Sequence, residues 1–308
     1  MVFNSIFFIF CFLPVFMLIY YLVPGKLRNL LLFLGSLIFY AWGEPVYVIL
    51  MLFSSIFNYY MGTELERLYY DDRKQKINLI FSIIINLAVL VFFKYYGFLL
   101  NTIGGIIGIH IPHPELSLPI GLSFYTFRNL SYLFDIYLSK VSAQRNFLTF
   151  SVYSTMFPYT SAGPIVRYTD IETQLKQRTI NISKFGIGAE LFVKGLAKKV
   201  LLADNLSVLY SSICGHPQMS VFTSWLGILA YTMQLYFDFS GYSDMAIGAA
   251  KMFGFEFLAN FDYPYCADSV ASFWRRWHMS LGFWFRTYVY IPLGGSWYGA
   301  GRTIVNLL

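Results

Sequence analysis

Charged residues are scarce in this chain of 308 residues. Only 12% of them are Asp, Glu, Lys or Arg, whereas a soluble domain carries about 25%, and 57% are hydrophobic. The mean hydropathy is +0.57. This composition excludes an ordinary soluble domain and predicts an integral membrane protein. The net charge of +6 does not indicate a nucleic-acid partner, because the basic residues fall in the gaps between apolar stretches, which is the positive-inside pattern.

Cysteine pairs and familiar catalytic motifs are also lacking. The three cysteines are Cys11, Cys214 and Cys266. They are dispersed and show no metal-ligand spacing, so the sequence predicts neither a disulfide framework nor a metal site. Gly-x-Ser-x-Gly, P-loop and HExxH patterns do not occur, so hydrolase and nucleotide-motor functions receive no support. Three histidines in proline-containing gaps are interpreted as loop residues: His110, His113 and His216.

Successive apolar stretches predict helices that cross a bilayer, and most of them approach about 20 residues, whereas the second and third are shorter. They cover residues 3–23, 29–42, 46–61, 77–100, 116–138 and 221–239. The gaps after the first, third and fifth stretches carry Lys and Arg, whereas those after the second and fourth carry none. This alternation predicts a multi-pass protein with its N-terminus outside. The first stretch lacks a basic n-region and a cleavage site, so we interpret it as a retained span.

Three later segments depart from simple crossings. Basic gaps flank residues 147–165 on both sides, which predicts a re-entrant or interfacial segment. Residues 183–203 mix lysines with apolar residues at helical spacing and predict an amphipathic helix in the cytoplasmic interface. Residues 241–257 are rich in small side chains that allow close helix packing. We therefore expect one all-α membrane domain over residues 1–308. Because residues 302–308 look like the start of another helix, we also expect a longer protein.

A cluster of ionisable and aromatic residues interrupts the apolar stretch 270–293. It contains Trp274, Arg275, Arg276 and His278. Ionisable groups at membrane depth are costly and usually functional. If the stretch is helical, Arg275 and His278 share one face, as do Trp274 and His278. The imidazole could then accept a hydroxyl proton while the arginines bind an anionic donor. The alternatives are a snorkelling cluster at the membrane interface and a structural histidine.

Two further groups are candidates for donor or substrate binding. Asp238 and Tyr242 lie in a polar run within apolar sequence, and Asp238 is predicted to pair with an arginine of the cluster. In the same run, Asp244 is expected to cap the next helix or orient a substrate. The alternative for this run is a structural buried ion pair. Arg167 follows the predicted re-entrant segment, where it could meet an anionic donor or form an ordinary positive-inside turn.

Several long runs of this sequence resemble the membrane-bound O-acyltransferase family, most closely its alginate O-acetyltransferase branch. They are Met1–Phe3, Phe39–Trp42, Pro119–Phe127, Ala162–Arg167, Phe237–Gly248, Asn260–Tyr265, Phe273–Leu281 and Tyr290–Gly295. The resemblance thus covers the whole chain. The related D-alanyl-lipoteichoic acid branch shares the Trp-His-Met-Ser element at 277–280 but lacks the Ile-Pro-Leu-Gly-Gly run. Thr287 departs from the Asp that is common in the alginate branch.

The resemblance implies a ring of transmembrane helices around a thinned membrane centre, in a bacterial inner membrane and in contact with lipid. It implies no bound cofactor, acetyl-CoA as acyl donor, and an exported polysaccharide or an extracytoplasmic acetyltransferase partner as acceptor. His278 corresponds to one of two family histidines. The second, usually assigned as the base, belongs to a Trp-His-Gly element beyond residue 308, so residues 1–308 alone are expected to be inactive. The alternative is a non-catalytic transport or scaffold subunit for polysaccharide export.

Overall fold

The computed structural model describes residues 3–109, 112, 116–216 and 219–307. These residues form helices and connecting segments, with no β-strand among them, so the all-α prediction is confirmed. The α-helices are α1 (Leu13–Leu22), α2 (Arg28–Gly43), α3 (Val48–Arg67), α4 (Asp72–Ile107), α5 (Leu122–Tyr137), α6 (Phe147–Thr155), α7 (Tyr168–Lys176), α8 (Ile182–Ala197), α9 (Asp204–Cys214), α10 (Val221–Met252), α11 (Val270–Arg276), α12 (Met279–Phe285) and α13 (Ala300–Leu307). Shorter π- and 3₁₀-helical segments are Phe8–Phe12, Gly25–Leu27, Phe157–Tyr159, Lys198–Ala203, Pro264–Cys266 and Arg286–Tyr290.

The chain packs as two compact units. The first, called the His278 unit, comprises Met1–Gly25, Ala162–Val166 and Lys176–Leu308. The second, called the Arg128 unit, comprises Lys26–Ser161 and Arg167–Leu175. The chain therefore passes between the units several times. That residues 1–308 act as one membrane domain stays a prediction.

Within the described residues, α3 and α4 are the helices long and apolar enough to cross a bilayer. In α4, only 17% of the most apolar window is buried in the protein, which leaves most of that surface for lipid. A reciprocal amide pair joins the two helices: Asn58 Nδ2 donates to Asn86 Oδ1 at 3.0 Å, and Asn86 Nδ2 donates to Asn58 Oδ1 at 2.9 Å. Each polar group is thereby satisfied without water, as an apolar solvent requires.

The first, second and fifth apolar stretches are helical, and α1 and α5 are shorter than predicted. Helix α1 has 10 residues, and α2 and α5 have 16 each, compared with about 20 for a full crossing. Helix α5 begins at Leu122 rather than Leu116, because Gly121 adopts φ +72° and a Cβ there would lie 1.9 Å from the Thr160 carbonyl oxygen. The multi-pass topology and the outside N-terminus stay predictions.

The predicted re-entrant segment forms the nine-residue helix α6 and the following 3₁₀ turn. A helix of this length rises only about 14 Å, which is too short to cross a bilayer. Arg128, with no exposed surface, donates to the carbonyl oxygens of Ser154 at 2.8 Å and Tyr159 at 2.7 Å. Its guanidinium also lies 4.2 Å from the Tyr159 ring centroid. The backbone that follows α6, which is not α-helical, is therefore buried in protein, as the sequence predicted for a re-entrant segment.

In the His278 unit, α8 and α10 pack with their backbones in contact. A Cβ on Gly188 would lie 2.7 Å from the carbonyl oxygen of Gly248, and a Cβ on Gly195 would lie 2.5 Å from that of Gly241. The predicted close packing through small residues is therefore confirmed. Helix α8 and the π-helical segment after it cover residues 183–203, where the sequence predicts an amphipathic helix. The location of that helix at the membrane interface stays a prediction.

Helix α10 is one continuous helix of 32 residues, which corrects the interpretation of 221–239 and 241–257 as separate segments. Asp244 therefore lies inside a helix and caps none. Its carboxylate instead contacts Lys198 Nζ at 2.6 Å.

The remaining expectations concern the loops and the last residues. His216 lies exposed in the segment after α9, as expected for a loop histidine. His110 and His113 lie outside the described residues. Helix α13 forms where the sequence indicated the start of another helix.

Candidate functional site

The candidate site is centred on a break between α11 and α12. Trp277 is extended (φ −100°, ψ 126°), and His278 adopts a left-handed conformation (φ 42°, ψ 53°). The condition of one helix through this run is therefore not met, and neither Arg275 nor Trp274 shares a helix face with His278. A left-handed conformation is uncommon outside glycine and marks a constrained position.

A loop distant in sequence stabilises this break. The Asp262 backbone N–H donates to the Arg276 carbonyl oxygen at 3.0 Å, and the Met279 N–H donates to the Asn260 carbonyl oxygen at 2.9 Å. These bonds pair a carbonyl group in the last turn of α11 and an N–H group in the first turn of α12, and such groups have no partner within their own helices. Hydrogen bonds between the loop and both helix ends therefore set the position of His278.

The Asn260 side chain is the centre of a hydrogen-bond network. It is 1% exposed, and its Oδ1 lies 3.0 Å from His278 Nδ1. The same oxygen accepts from Ser280 Oγ at 2.9 Å and from the Ser280 backbone N–H at 3.3 Å. Asn260 Nδ2 donates to Ser243 Oγ on α10 at 3.1 Å, and the Ile165 backbone N–H donates to Ser280 Oγ at 3.0 Å. The network thus ties the imidazole to three separate chain segments.

Aromatic rings enclose the imidazole. The Phe239 ring meets it edge to face, with centroids 4.7 Å apart and planes at 81°. Phe261 lies nearly parallel to it, at 6.4 Å and 16°, and packs in turn against Trp277 at 5.1 Å. Trp274, which the sequence placed at the site, is 61% exposed. The aromatic wall therefore exists, but Phe239 and Phe261 form it.

The two arginines are more exposed than the histidine network. Arg275 is exposed and Arg276 is half-buried, and among the described residues neither guanidinium has a carboxylate partner. Asp238, the predicted counter-charge, instead contacts Lys199 Nζ at 2.7 Å. Lys199 also contacts Asp204 at 2.8 Å. The Asp238–arginine pair is therefore corrected to an Asp238–lysine pair, which leaves both guanidinium groups available for an anionic ligand.

Two other predicted residues lie in different settings. The half-buried Tyr242 ring stacks on Phe3, with centroids 5.0 Å apart and planes at 6°. Arg167 belongs to the Arg128 unit, where its Nε donates to Asp170 Oδ2 at 3.0 Å and its NH2 donates to Oδ1 at 2.6 Å. This pairing engages the Arg167 guanidinium just before α7. Donor-binding roles for Tyr242 and Arg167 stay predictions.

Sequence reasoning assigned no role to the residues that hold the imidazole, Asn260, Ser280 and Ser243. All three lie in the runs that carried the family resemblance, but small uncharged polar side chains give no chemical signal of their own. An amide at the start of an aromatic loop, Asn260-Phe261, was the one available indication, because a buried amide needs partners.

Comparison with known proteins assigns the chain to a family. The model of the membrane-bound O-acyltransferase family matches residues 40–308, a range that includes the histidine, its aromatic wall and the Asn260 network. The chain belongs to this family of membrane-bound proteins.

Individual relatives are bacterial proteins named for O-acetylation or D-alanylation. The chain is 42% identical over 311 residues to the probable alginate O-acetylase AlgI of Pseudomonas aeruginosa, covering all of this chain and 60% of that protein. It is 32% identical over 360 residues to the peptidoglycan O-acetyltransferase of Helicobacter pylori, covering 99% of this chain and 68% of that protein. It is also 30% identical over 194 residues to the teichoic acid D-alanyltransferase of Bacillus subtilis, covering 59% of this chain and 47% of that protein. The chain thus spans about 60% of the length of the alginate-type relatives it matches.

Proposed function

We propose that the full-length protein is an O-acyltransferase that moves an acetyl group from cytoplasmic acetyl-CoA to an exported polysaccharide, or to a partner acetyltransferase that modifies it. The observation that carries this proposal is the imidazole of His278, held by a buried amide inside an aromatic enclosure in a chain of the O-acyltransferase family. Membrane lipid surrounds the protein, which is a multi-pass protein of a bacterial inner membrane.

The chemistry of the site suits acyl transfer. In transfer to a hydroxyl, the attacking oxygen loses its proton as it bonds to the thioester carbon, and the departing thiolate takes up a proton. A neutral imidazole near pH 7 can assist such proton movements, and we assign that role to His278. Arg275 and Arg276 suit the phosphates of coenzyme A, because guanidinium groups bind phosphate oxygens with two parallel hydrogen bonds.

The kind of acceptor rests on the relatives. Two of them are named for O-acetylation of alginate or peptidoglycan, and a third for D-alanylation of teichoic acid. We favour an alginate-type polysaccharide because those relatives match the whole chain at the highest identity of the three. Within the part of the chain that the structure describes, neither arginine has a carboxylate partner, which argues against the alternative of a transport or scaffold subunit, in which they would form structural or gating ion pairs.

The test compares the full-length protein with its His278→Asn variant in reconstituted vesicles supplied with radiolabelled acetyl-CoA and candidate acceptors. Asparagine tolerates the left-handed backbone but cannot take up a proton. His216→Asn, at an exposed loop histidine, is the matched control.

We expect His278→Asn to lower acetyl transfer roughly 10²- to 10⁴-fold, the usual contribution of a general acid or base, while His216→Asn retains wild-type transfer. Unchanged transfer by the His278→Asn variant would remove the histidine from the mechanism. Absence of donor consumption by the wild-type protein, with acceptors and partner proteins present, would favour the transport or scaffold function.

A further inference from the structure

We infer that Asn260 is a positioning residue that holds His278 in one tautomer, with the proton on Nδ1 and a lone pair on Nε2. The significance of Nε2 as proton acceptor rests on the proposed function, but the tautomer itself does not.

The orientation of the amide follows from a backbone group. An amide side chain can be placed in two ways that exchange its oxygen and nitrogen. The Ser280 backbone N–H, which can only donate, lies 3.3 Å from Asn260 Oδ1. Reversing the amide would set a nitrogen donor against this donor. The atom that faces the imidazole is therefore the oxygen.

Ser243 and Ile165 agree with this orientation. The Asn260 nitrogen lies 3.1 Å from Ser243 Oγ, an acceptor on α10. Ser280 Oγ accepts from the Ile165 backbone N–H at 3.0 Å, so its own proton is available for Asn260 Oδ1 at 2.9 Å. Each donor in the network thereby meets an acceptor, which is the usual state of buried polar groups.

The orientation of the amide decides the tautomer of the histidine. An amide oxygen only accepts, so the 3.0 Å contact with His278 Nδ1 requires a proton on Nδ1. A neutral imidazole carries a single ring proton, so Nε2 holds the lone pair. Within the described residues, Nε2 has no hydrogen-bond partner.

Both side chains have little freedom to change this arrangement. Asn260 is 1% exposed, and its main-chain oxygen also binds the Met279 N–H at 2.9 Å. The Phe239 ring lies edge-on to the imidazole at 4.7 Å, which restricts rotation of the ring. A histidine fixed by a second side chain in this way presents one chosen nitrogen.

The decisive measurement is ¹⁵N solid-state NMR of the full-length protein labelled at histidine nitrogens, at neutral pH, with His278→Asn as the reference that identifies the His278 signals. We expect a protonated Nδ1 and an unprotonated Nε2. A protonated Nε2 with an unprotonated Nδ1 would overturn the inference. Because this spectrum needs neither turnover nor a variant at Asn260, it decides the question even where acetyl transfer is absent.

Variants then test whether the tautomer matters for the reaction. Asn260→Leu removes the acceptor, whereas Asn260→Asp keeps an oxygen at the same place. The matched control is Asn205→Leu, an exposed amide that donates to the carbonyl oxygens of Val200 and Leu201 in the π-helical segment before α9. We expect Asn260→Leu to lower kcat at least about 100-fold with KM for acetyl-CoA changed less than about 3-fold, because proton transfer and not donor binding is affected.

Partial rescue separates positioning from a merely structural role. We expect Asn260→Asp to restore kcat to within about 10-fold of wild type and to retain the Nδ1-protonated tautomer, whereas Asn205→Leu behaves as wild type. An Asn260→Asp variant as impaired as Asn260→Leu, or an Asn260→Leu variant with wild-type kcat, would contradict the inference. If Asn260→Leu does not fold, the wild-type spectrum together with the kcat and the tautomer of Asn260→Asp still test the inference. Failure of the wild-type protein to transfer acetyl groups would count against the proposed function alone.

Discussion

Gly195 and Gly241 lie backbone to backbone where α8 crosses α10. A Cβ on Gly195 would lie 2.5 Å from the Gly241 carbonyl oxygen, and a Cβ on Gly241 would lie 2.7 Å from the Gly195 carbonyl oxygen. Gly188 and Gly248 repeat this relationship seven residues along each helix, in opposite directions. The two helices are therefore antiparallel, and the position of Asn260, which bonds to Ser243 of α10, depends on that packing.

We expect Gly195→Ala to destabilise the protein by about 1–3 kcal/mol, the usual cost of forcing a methyl group into a packed interior. The control is Gly186→Ala in the same helix, where a Cβ would meet nothing within 4 Å. This control should be neutral or slightly stabilising, because alanine favours helix over glycine. Thermal unfolding in detergent, followed by tryptophan fluorescence, measures both. Equal effects of the two substitutions would show that the contact between the glycines contributes nothing.

The buried guanidinium of Arg128 provides a second prediction. Replacing it with methionine leaves the carbonyl oxygens of Ser154 and Tyr159 without their donor, and an unsatisfied buried polar group costs about 1–3 kcal/mol. We expect Arg128→Met to lower the free energy of unfolding by about 2–6 kcal/mol, the sum over the two acceptors. Arg67→Met, at a side chain 78% exposed, should change it by less than about 1 kcal/mol. Similar values for the two variants would contradict the structural role of Arg128.

The Asn58–Asn86 amide pair should behave as a coupled unit. Asn58→Leu leaves the Asn86 amide without its interhelical partner, and Asn86→Leu does the reverse. The double variant Asn58→Leu/Asn86→Leu should be less destabilised than the sum of the single variants. We expect a coupling free energy of about 0.5–2 kcal/mol, the range for polar pairs between membrane helices. Additive single effects in equilibrium unfolding would mean that the pair contributes no interaction energy.

The sequence predicted helices well where the pattern is local. Helix α4 lies where an apolar stretch indicated it, and the glycines of α8 and α10 pack as a small-residue pattern predicts. The break at His278 could not be predicted in this way, because the Asn260 and Asp262 backbone groups that stabilise it come from a separate loop. A helix propensity reports only on neighbours in sequence, whereas these hydrogen bonds exist only once the chain has folded.

Charge partners were predicted less well than helices, for a related reason. The sequence shows that Asp238 and the arginines are rare charges in apolar surroundings, but many pairings are compatible with that fact. The π-helical segment after α8 places Lys199 beside Asp238, and a π-helical turn leaves no periodic signal of the α-helical kind. The structure therefore corrects the choice of partner while leaving the arginines as candidates for donor binding.

The corrected pairing leads to a prediction that separates donor binding from ion pairing. If Arg275 and Arg276 bind the phosphates of the donor, Arg275→Gln or Arg276→Gln should raise KM for acetyl-CoA in the full-length protein about 10- to 100-fold. This corresponds to the loss of a charge-assisted hydrogen bond of about 1.5–3 kcal/mol.

Asp238→Asn is the matched comparison for this prediction. It should leave KM for acetyl-CoA within about 3-fold of wild type, because Asp238 contacts Lys199 and not an arginine. In the variant, Lys199 still has Asp204 as an ion-pair partner. Steady-state kinetics at two ionic strengths measure the effect. Added salt should weaken the affinity of the wild type and of Asp238→Asn, which keep both arginines, more than that of either glutamine variant, which lacks one of the screened charges. An Asp238→Asn variant that raises KM as much as Arg275→Gln would instead make Asp238 part of the donor site, as the sequence first suggested.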